Sequence, residues 1–500
     1  MTMVGDGSAA ASDSRPMQIE ANGLNVISDA ERKGKPRDLF WPWFGANVSV
    51  LGLGYGSYLL GFSVSFWQAL VIGLIGIVVS FLFCGFIAVA GKHGSAPTMV
   101  LSRAAFGVNG NKLSAVISWL LTVGWETVLV ILATGALAAV FTRLGWLTGN
   151  STLVKVIALV IVVALTIFAG VMGFDLIMRL QTWITVITGV LTIGFIALSA
   201  SHIHFHTVAS LHAGSFQQMI GALVFMMTGF GLGWVNAAAD YSRYLPRVSS
   251  SRGVIGWTTF GSSLAPIVLL FFGLLLAGSS AGLSKAIGLD PIGALASLLP
   301  TWYLIPFAIV AILGLVGGTV LDIYSSGLAL LSLGLRVPRF VTALIDGTVM
   351  TAGAIYVVFF AQNFVGPFQG FLITLGVPIA AWCGVILADI LLRKRDYAEA
   401  DLYDPAGRYG NVSWLPVATV LVCTVIGWGL VTNTYASWLS WQGYLLGPVG
   451  LGGKSGAWAY ANLGVLVSLA LGFFVTWAAS RSAVAAQEAT PVQPAGQVAV

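Results

Sequence analysis

Residues 228–234 read Thr-Gly-Phe-Gly-Leu-Gly-Trp, which places three glycines in five positions inside an apolar run of roughly residues 216–239. Glycine inside a helix costs about 1 kcal/mol relative to alanine, so this stretch predicts an interrupted helix. A similar stretch, Leu51-Gly52-Leu53-Gly54-Tyr55-Gly56, lies in the first apolar run, and both contain the string Gly-Leu-Gly-aromatic. Two membrane helices broken by glycine at corresponding places in two halves of a chain indicate the substrate site of a transporter.

The same glycines have a second interpretation, since small residues also let membrane helices pack closely. Unwound backbone is tolerated inside a membrane only where it lines a cavity or is buried in protein, because lipid cannot satisfy its polar groups. We favour unwinding because the two stretches match each other.

The composition is typical of an integral membrane protein. Of the 500 residues, 57% are hydrophobic and only 8% are charged, against about 25% charged in soluble domains. The net charge of +5 comes from basic residues scattered over loops, which argues against a nucleic-acid partner. Cys84, Cys383 and Cys423 all fall in apolar runs and are expected to be small core residues. We therefore expect no disulfide, no metal site and no cofactor.

Twelve apolar runs are long enough to cross a bilayer. They are named spans 1 to 12, with the approximate limits 40–62, 66–90, 113–141, 152–172, 178–200, 216–239, 254–281, 302–334, 340–361, 368–392, 413–433 and 458–480. Residues 1–38 form a polar tail whose first 20 residues are expected to be disordered, and no cleavable signal peptide is expected before span 1.

The basic residues predict the orientation of the chain. With the N-terminus inside, only Arg143, Lys155, Lys285 and Lys454 of the 23 Lys and Arg residues fall on the outer side, which leaves 19 on the inner side. We therefore predict a multi-pass protein of the plasma membrane with both termini in the cytoplasm.

The two glycine stretches have opposite topology, because span 1 starts inside and span 6 starts outside. This predicts an all-α fold of twelve transmembrane helices with two inverted five-helix repeats, residues 39–200 and 201–395, in which helices 1 and 6 are discontinuous. Residues 396–480 would add a cytoplasmic loop and two further helices, and residues 481–500 a cytoplasmic tail.

Two carboxyl side chains lie near the middle of predicted spans, Glu126 in span 3 and Asp322 in span 8. A charged acid at the centre of a membrane helix costs about 2.5–3.5 kcal/mol on insertion scales, and no Lys or Arg lies near the centre of a span to offset it. A carboxyl that carries a proton is the simplest way to tolerate such burial. Both acids are therefore candidates for proton coupling or for a hydrogen bond to a polar solute. The alternative is a neutral acid bonded to a helix backbone.

Aromatic residues flank these positions, namely Trp125, Phe230, Trp234 and Tyr324. Paired rings can sandwich a flat heterocycle by stacking, although most of the 17 tryptophans in the chain must belong to interfacial belts or packing. The sequence contains no phosphate-binding loop, zinc-ligand spacing or nucleophile elbow, so we do not expect an enzyme.

Several motifs together resemble a known family. Residues 91–110 read GKHGSAPTMVLSRAAFGVNG, residues 240–246 read Asp-Tyr-Ser-Arg-Tyr-Leu-Pro, and residues 324–328 read Tyr-Ser-Ser-Gly-Leu. Asn22-Gly23-Leu24 precedes span 1, and Gly407-Arg408-Tyr409-Gly410 follows span 10. Over roughly residues 20–480 the chain resembles the nucleobase:cation symporter-1 family, in its purine/cytosine permease branch. The resemblance implies the LeuT-type fold, which agrees with the inverted repeat.

The resemblance also implies roles for matching residues. Trp125 matches the span-3 tryptophan that stacks on the substrate, the span-6 aromatic is Trp234 or Phe230, and Asp322 matches a substrate-contacting Asn. The broken region of span 1, residues 46–52, would supply carbonyl oxygens. The residues expected at the substrate are Trp125, Asp322, Trp234, Phe230, Gly231, Ser49, Glu126 and Tyr324, and those expected at the coupling ion are Asp322, Glu126, Ala46, Ser49 and Thr319.

Two positions depart from the family. One turn after Trp125 the family often has Gln or Asn, whereas this chain has Leu129. The sodium site of sodium-coupled relatives uses hydroxyl side chains in span 8, where this chain has Val320 and Leu321, with Thr319 one residue away. The usual sodium site is therefore missing while Asp322 has been gained beside it, which favours proton coupling.

These observations predict a secondary transporter that imports a purine, cytosine or a related flat heterocycle by cation symport, with a proton as the coupling ion. Hydantoin, allantoin, a thiamine-like pyrimidine or a vitamin B6 compound remain alternative substrates, and sodium remains the alternative ion. A channel or a non-transporting sensor is the remote alternative.

Overall fold

The computed structural model describes residues 23–146, 151–171, 174–361, 363–434 and 436–490, and for residues 174–181 it describes the backbone only. The segment predicted to be disordered, residues 1–20, and the last ten residues of the predicted tail lie outside the described residues. Within the described ranges every regular element is a helix, in agreement with the predicted all-α class.

Helices occupy all twelve predicted spans. Ten spans are single helices, namely Phe66–Gly94, Lys112–Arg143, Ser151–Val171, Phe174–Ser199, Ser251–Ser279, Leu304–Ser332, Arg339–Phe360, Val365–Leu392, Trp414–Gly429 and Leu463–Ala479. Span 1 is divided into Phe40–Asn47 and Leu51–Leu60, and span 6 into Phe216–Gly229, the turns Gly231–Gly233 and Val235–Ala237, and Ala238–Ser242. Spans 1 and 6 are thus discontinuous, as predicted.

Not every span is long enough to cross a membrane as one straight helix. In the described part of the chain nine helices are long and apolar enough, and ten if the bent pair Leu463–Ala479 and Arg481–Ala489 counts as one span. The nine include span 6, whose consecutive pieces count together as Phe216–Ser242. Spans 1 and 11 are the other two, because the two helices of span 1 have 8 and 10 residues and the helix of span 11 has only 16.

The spans of the two repeats pack in two groups. The first group consists of spans 1, 2, 6 and 7, and the second of spans 3, 4, 8 and 9, so each group contains equivalent helices of both repeats. Span 7 packs on both halves of span 1 and on span 2, and span 6 packs on span 2. Span 3 packs on spans 4, 8 and 9, and span 8 also packs on spans 4 and 9. Spans 11 and 12 pack mainly on each other and on span 10, outside the two groups, as expected for additions to a five-plus-five repeat.

The segment after span 12 begins with a helix, Arg481–Ala489, where only a tail was predicted. Its Glu488 carboxylate accepts hydrogen bonds from the backbone N–H groups of Lys394 (2.7 Å) and Arg395 (2.9 Å). These bonds hold the helix against the end of span 10.

Candidate functional site

The interruption of span 6 lies at the predicted glycines. The first helix ends at Gly229. The next residue, Phe230, has a φ of −125° and a ψ of −110°, outside the helical region, and the turn Gly231–Gly233 follows. The Gly231 N–H donates to Ser80 Oγ (3.0 Å), and the Gly231 carbonyl oxygen accepts from the Cys84 thiol (3.2 Å, S to O). Two side chains of span 2 therefore satisfy backbone groups that unwinding releases, which lipid could not do.

Gly231 also lies directly against the backbone of span 2. A Cβ atom at this position would lie 2.1 Å from the carbonyl carbon of Ser80. Both backbone polar groups of Gly231, a predicted substrate contact, are thus directed toward span 2. Ser80 and Cys84 were not sequence candidates, because a serine and a cysteine inside an apolar run are typical core residues.

The interruption of span 1 lies before the glycines of the Leu51–Gly56 stretch. The prediction that these glycines break the helix, drawn from their match to span 6, is therefore wrong. Helix Phe40–Asn47 ends and helix Leu51–Leu60 begins on either side of residues 48–50, so Gly52, Gly54 and Gly56 lie inside a helix. The separately predicted broken region of span 1, residues 46–52, does contain the interruption.

The glycines of span 1 allow close packing on span 7 instead. A Cβ atom at Gly56 would lie 2.2 Å from the carbonyl carbon of Gly273, and one at Gly52 would lie 2.9 Å from the Leu269 side chain. A helix that approaches a neighbouring backbone this closely requires small residues at the contact. The packing interpretation therefore holds for span 1.

Span 8 presents two glycines to the interruption of span 1. A Cβ atom at Gly314 would lie 2.7 Å from the Val48 carbonyl oxygen, and one at Gly318 would lie 3.4 Å from the Ala46 carbonyl oxygen. Asp322 follows Gly318 by about one helical turn. Gly314, Gly318 and Asp322 therefore lie on the same face of span 8, and this face packs against the interruption of span 1.

The hydroxyl groups expected at the coupling ion bond to nearby backbone. Ser49 Oγ accepts from the Leu51 N–H (3.3 Å), and Thr319 Oγ1 donates to the Leu315 carbonyl oxygen (2.8 Å). Val320 and Leu321 are buried side chains without oxygen atoms.

Trp125 lies beside the interruption of span 6. A Cβ atom at Gly233 would lie 2.7 Å from Trp125 Nε1, and the indole ring contacts Phe368 and Phe371 edge-on at 5.6 and 5.9 Å between centroids. The indole N–H is buried and has no hydrogen-bond partner among the described residues. The structure thus brings Trp125 and the span-6 turn together.

The two aromatic candidates of span 6 have different surroundings. Phe230 is buried, with its ring centroid 4.4 Å from that of Tyr55 and 6.3 Å from that of Phe81. Trp234 remains partly exposed and contacts Trp43 edge-on at 5.8 Å. Trp234 therefore retains ring surface that a ligand could contact, whereas Phe230 is already covered by other rings.

Glu126 and Asp322 are fully buried. Their exposed fractions are 0% and 1%, and none of their four carboxyl oxygens has a hydrogen-bond partner among the described residues. A buried charge without a partner is strongly unfavourable. The surroundings therefore suit an uncharged carboxyl, or a carboxyl that meets a cation or a hydrogen-bond donor brought by a ligand.

A third buried carboxyl, Asp346 of span 9, joins this region. Its exposed fraction is 0%, and it accepts hydrogen bonds from Trp119 Nε1 (2.7 Å) and Ser326 Oγ (2.8 Å) on its two oxygens. The charges of Asp346 and Asp322 both act on Glu126, and the Ser326 side chain lies beside it. Asp346 was not a sequence candidate because it lies close to the start of span 9. The rule that intramembrane acids mark functional sites could have found it.

Tyr324 is placed away from these aromatic residues. Its hydroxyl accepts a hydrogen bond from Arg243 (2.6 Å), its ring lies 4.5 Å from the Arg339 guanidinium, and it stacks on Tyr241 at 6.2 Å. On a helix, Tyr324 projects about 200° away from Asp322. The structure therefore groups this predicted substrate contact with Arg243 at the end of span 6 and Arg339 at the start of span 9.

A cavity of about 1130 Å³ opens at the end of the molecule where spans 6 and 10 begin. This cavity is called the vestibule. Its lining includes Tyr58, Phe225, Thr228, Gln218, Lys285 and Gln369 but not Trp125, Glu126 or Asp322. The vestibule thus leads toward the interrupted helices without reaching the buried acids.

Aromatic side chains separate the vestibule from Trp125. They form an aromatic layer made of Tyr55, Tyr58, Phe225, Phe364 and Phe368. Tyr58 and Phe225 face the vestibule, whereas Phe368 contacts Trp125 and Tyr55 contacts Phe230. The Tyr55 hydroxyl donates to the Gly229 carbonyl oxygen (2.8 Å) at the end of the first span-6 helix. The layer therefore closes the site on the vestibule side.

The opposite, arginine-rich end is closed by hydrogen bonds and ion pairs. Arg32, in the segment before span 1, donates to the Leu245 (3.1 Å) and Lys92 (2.5 Å) carbonyl oxygens. Arg247 pairs with Glu399, and Arg393 pairs with Asp389 (2.7 Å). Burial lowers the pKa of Arg32, and the nearby charge of Arg247 acts in the same direction, so the carbonyl bonds offset part of the cost of burying this charge.

Comparison with known proteins identifies a family over most of the chain. Residues 26–450 match the family described as permease for cytosine/purines, uracil, thiamine, allantoin. The putative purine-cytosine permease YxlA of Bacillus subtilis is 25% identical over 80% of this chain and 85% of its own length. The vitamin B6 transporter TPN1 of Saccharomyces cerevisiae is 25% identical over 52% of this chain, a match that spans 45% of that protein.

The fold is similar to that of a solved transporter. Mhp1, a nucleobase-cation-symport-1 family transporter in a closed conformation with bromovinylhydantoin bound, superposes with a TM-score of 0.66 over 94% of this chain and 99% of its own. The sequence identity is 18%. The five-plus-five inverted repeat predicted from the two interrupted spans is thereby confirmed as the fold.

Proposed function

This chain belongs to the family of permeases for cytosine/purines, uracil, thiamine and allantoin, and from that premise we propose that it imports a purine, cytosine or a closely related heterocycle by symport with a proton. The observation that carries the proposal is the combination of Trp125 beside the span-6 turn with two buried, unpartnered carboxyls, Asp322 and Glu126. A nucleobase offers a flat face for an aromatic ring and N–H groups for a carboxyl.

The ring of the substrate would lie between Trp125 and Trp234. Trp234 follows Gly233, against which the Trp125 indole packs, and it keeps exposed ring surface while Phe230 does not. Offset stacking of aromatic rings contributes about 0.5–1.5 kcal/mol beyond the apolar area that it buries.

Asp322 would accept an N–H or amino group of the base. Its carboxyl has no donor among the described residues, so a substrate that supplies one removes the cost of an unpaired buried polar group. A proton taken up together with the substrate, on Asp322 or Glu126, would remove the same cost at the carboxyl oxygens that the substrate leaves unpaired.

The coupling ion in this proposal is a proton. Val320 and Leu321 supply no oxygen ligand, and the Thr319 hydroxyl is engaged with Leu315. The Ala46 carbonyl and Ser49 would contact the substrate or a water molecule at the interruption of span 1. The two buried carboxyls, Asp322 and Glu126, would instead take up and release the coupling proton.

The vestibule would face the outside and the arginine-rich end the cytoplasm, in a plasma membrane with both chain termini inside. The excess of basic residues at the arginine-rich end supports this orientation. The structure would then correspond to a state closed toward the cytoplasm, with the aromatic layer between the outer solution and the site.

Uptake of radiolabelled cytosine and adenine by cells without their own nucleobase permeases tests the proposal. We expect saturable uptake that increases at acid pH and does not depend on sodium. Asp322→Asn should abolish pH-driven accumulation while some exchange of substrate persists. The matched control is Asp290→Asn, because Asp290 lies outside the proposed site and caps the helix Pro291–Ala296, where Asn caps equally well. Undiminished proton-driven uptake by Asp322→Asn would contradict the proposed role of Asp322 in proton-coupled transport.

A vitamin B6 compound is the second candidate substrate. The match to a vitamin B6 transporter over 52% of this chain favours it, as does Leu129, which offers no hydrogen bond where the family often has an amide. Competition of unlabelled pyridoxine against labelled cytosine separates the two substrates. Absence of cytosine and adenine uptake by a well-expressed protein, together with pyridoxine uptake, would favour the second.

A further inference from the structure

Three carboxyls from three different spans meet inside the second packed group of helices. Glu126 comes from span 3, Asp322 from span 8 and Asp346 from span 9, and each has an exposed fraction of 1% or less. The proposed function uses Asp322 and Glu126 but gives no role to Asp346.

The partners of Asp346 and Glu126 are opposite in kind. Both oxygens of Asp346 accept a hydrogen bond, one from Trp119 Nε1 (2.7 Å) and one from Ser326 Oγ (2.8 Å). Donors on both oxygens stabilise the ionised carboxylate. Glu126 has no exposed surface, and neither of its oxygens has a donor within the described residues. The hydroxyl beside it, that of Ser326, donates to Asp346, so the surroundings of Glu126 favour its uncharged form.

The charges around Glu126 are all acidic. The titratable groups that act on it are Asp346 from span 9 and Asp322 from span 8, with Ser326 as the neighbouring hydroxyl. Spans 4 and 10, which also pack on span 3, bring no charged side chain to Glu126 in the described part of the chain. Two carboxylates that are close together in a medium of low dielectric do not both ionise, and they titrate as a pair.

We infer that Glu126 and Asp346 form a proton-binding pair in which Asp346 keeps its negative charge between Trp119 and Ser326 while Glu126 carries the proton exchanged during transport. Asp322 would then bind the substrate, and Asp322→Asn would uncouple the substrate from the pair without removing the proton site. This inference rests on the proposed proton coupling, which it assigns to a specific pair of residues.

The position of the pair connects it to the substrate. Glu126 follows Trp125 directly in span 3, and Ser326 lies one turn after Asp322 in span 8. Loss of the proton would place two negative charges between span 3 and spans 8 and 9, and their repulsion would strain the packing of helices that also hold Trp125 and Asp322.

Infrared difference spectroscopy between acid and alkaline pH tests the pair without any substrate. The wild-type protein, reconstituted in lipid, should show the C=O band of a buried carboxylic acid that disappears at alkaline pH. Glu126→Gln should lack one component of this band, Asp322→Asn should keep that component, and Asp290→Asn should match the wild type. An unchanged band in Glu126→Gln would overturn the inference, as would loss of the component on addition of sodium at constant pH.

Two further variants test the role of Asp346. Asp346→Asn should change the midpoint pH of the Glu126 component by about one unit or more, because it removes a neighbouring negative charge. Trp119→Phe keeps an aromatic ring but removes one donor to Asp346, so the pair should hold its last proton to a pH about one unit higher. If both variants titrate as the wild type does, Asp346 takes no part in binding the proton.

Uptake of labelled cytosine by the same proteoliposomes separates this inference from the proposed function. Glu126→Gln and Asp346→Asn should lose proton-driven accumulation at least tenfold while substrate exchange without a gradient persists. A wild-type protein that shows the expected infrared band but no cytosine uptake would contradict the proposed substrate and leave the pair supported. Full proton-driven accumulation by Asp346→Asn would overturn the pair and leave the transport function intact.

Discussion

The glycine strings of spans 1 and 6 share the pattern Gly-Leu-Gly-aromatic, yet one lies inside an α-helix and the other forms a 3-10 turn that interrupts the α-helix. In span 6 the turn Gly231–Gly233 replaces the helix, and Ser80 and Cys84 of span 2 bond to the freed backbone of Gly231. In span 1 the residues Gly52 to Gly56 stay helical against Leu269 and Gly273 of span 7.

The difference shows that glycine permits unwinding but does not cause it. A helix inside a membrane gives up its backbone hydrogen bonds only where a neighbour replaces them. Opposite Gly231, span 2 carries the Ser80 hydroxyl and the Cys84 thiol, which bond to the backbone. Opposite the span 1 glycines, span 7 carries Leu269 and Gly273, which have no polar side chain. The interruption of span 1 therefore lies earlier, at residues 48–50, where the glycines of span 8 leave room for carbonyl groups.

The largest effect is expected from Gly231→Ala. The new Cβ atom would lie 2.1 Å from the Ser80 carbonyl carbon and would separate Gly231 from both of its partners in span 2. Overpacking together with unpaired backbone groups should cost about 3 kcal/mol or more and abolish cytosine uptake. Thermal unfolding of the purified protein and uptake measure the two effects. Gly135→Ala is the control, because nothing lies within 4 Å of its Cβ position. Equal stability of the two variants would mean that the contact with span 2 is dispensable.

A smaller effect on function is expected from Gly56→Ala. Its Cβ atom would lie 2.2 Å from the Gly273 carbonyl carbon, so spans 1 and 7 must separate, at a cost of about 1–3 kcal/mol. Because Gly56 packs but does not form the site, uptake per folded molecule should stay near the wild-type value while the unfolding temperature falls. If Gly56→Ala kept its stability but lost uptake, the glycines of span 1 would have a role in transport, as those of span 6 do.

The smallest effect is expected from Gly54→Ala. The three atoms nearest to its Cβ atom would all belong to the Tyr58 side chain, with the hydroxyl at 3.0 Å. The gain in helix propensity, about 1 kcal/mol, should offset this tight contact. The net change in unfolding free energy should thus be below about 1 kcal/mol, with uptake retained. A loss as large as that of Gly231→Ala would show that residue 54 must leave the helical conformation.

The spans themselves could be predicted well from the sequence. Their predicted limits differ from the helix ends by at most five residues, at the start of span 12, where 458 was expected and Leu463 is observed. A bilayer requires about 20 consecutive apolar residues for each crossing, and this requirement is visible in any single stretch of sequence. Opposite topology of spans 1 and 6 then predicted the inverted repeat that the likeness to Mhp1 confirms.

The candidate site was harder to predict, because the environment of each of its residues depends on side chains from other spans. Glu126 and Asp322 were recognisable as intramembrane acids, but Asp346 acquires its interest only from the donors Trp119 and Ser326, which come from other spans. Tyr324 lies two residues from Asp322, yet the helix turns it toward Arg243. The roles of these residues at the substrate and the ion remain predictions.

The sequence by itself determined that this chain is a helical membrane protein with two inverted halves and uncompensated acids in its spans, since each of these properties is set by local composition or by the order of the spans. Only the tertiary structure decided which glycines unwind, which carboxyl receives donors and which does not, and which end of the molecule is open. The physical reason is that satisfying a buried polar group depends on what a neighbouring helix brings to it, and that neighbour is distant in the sequence.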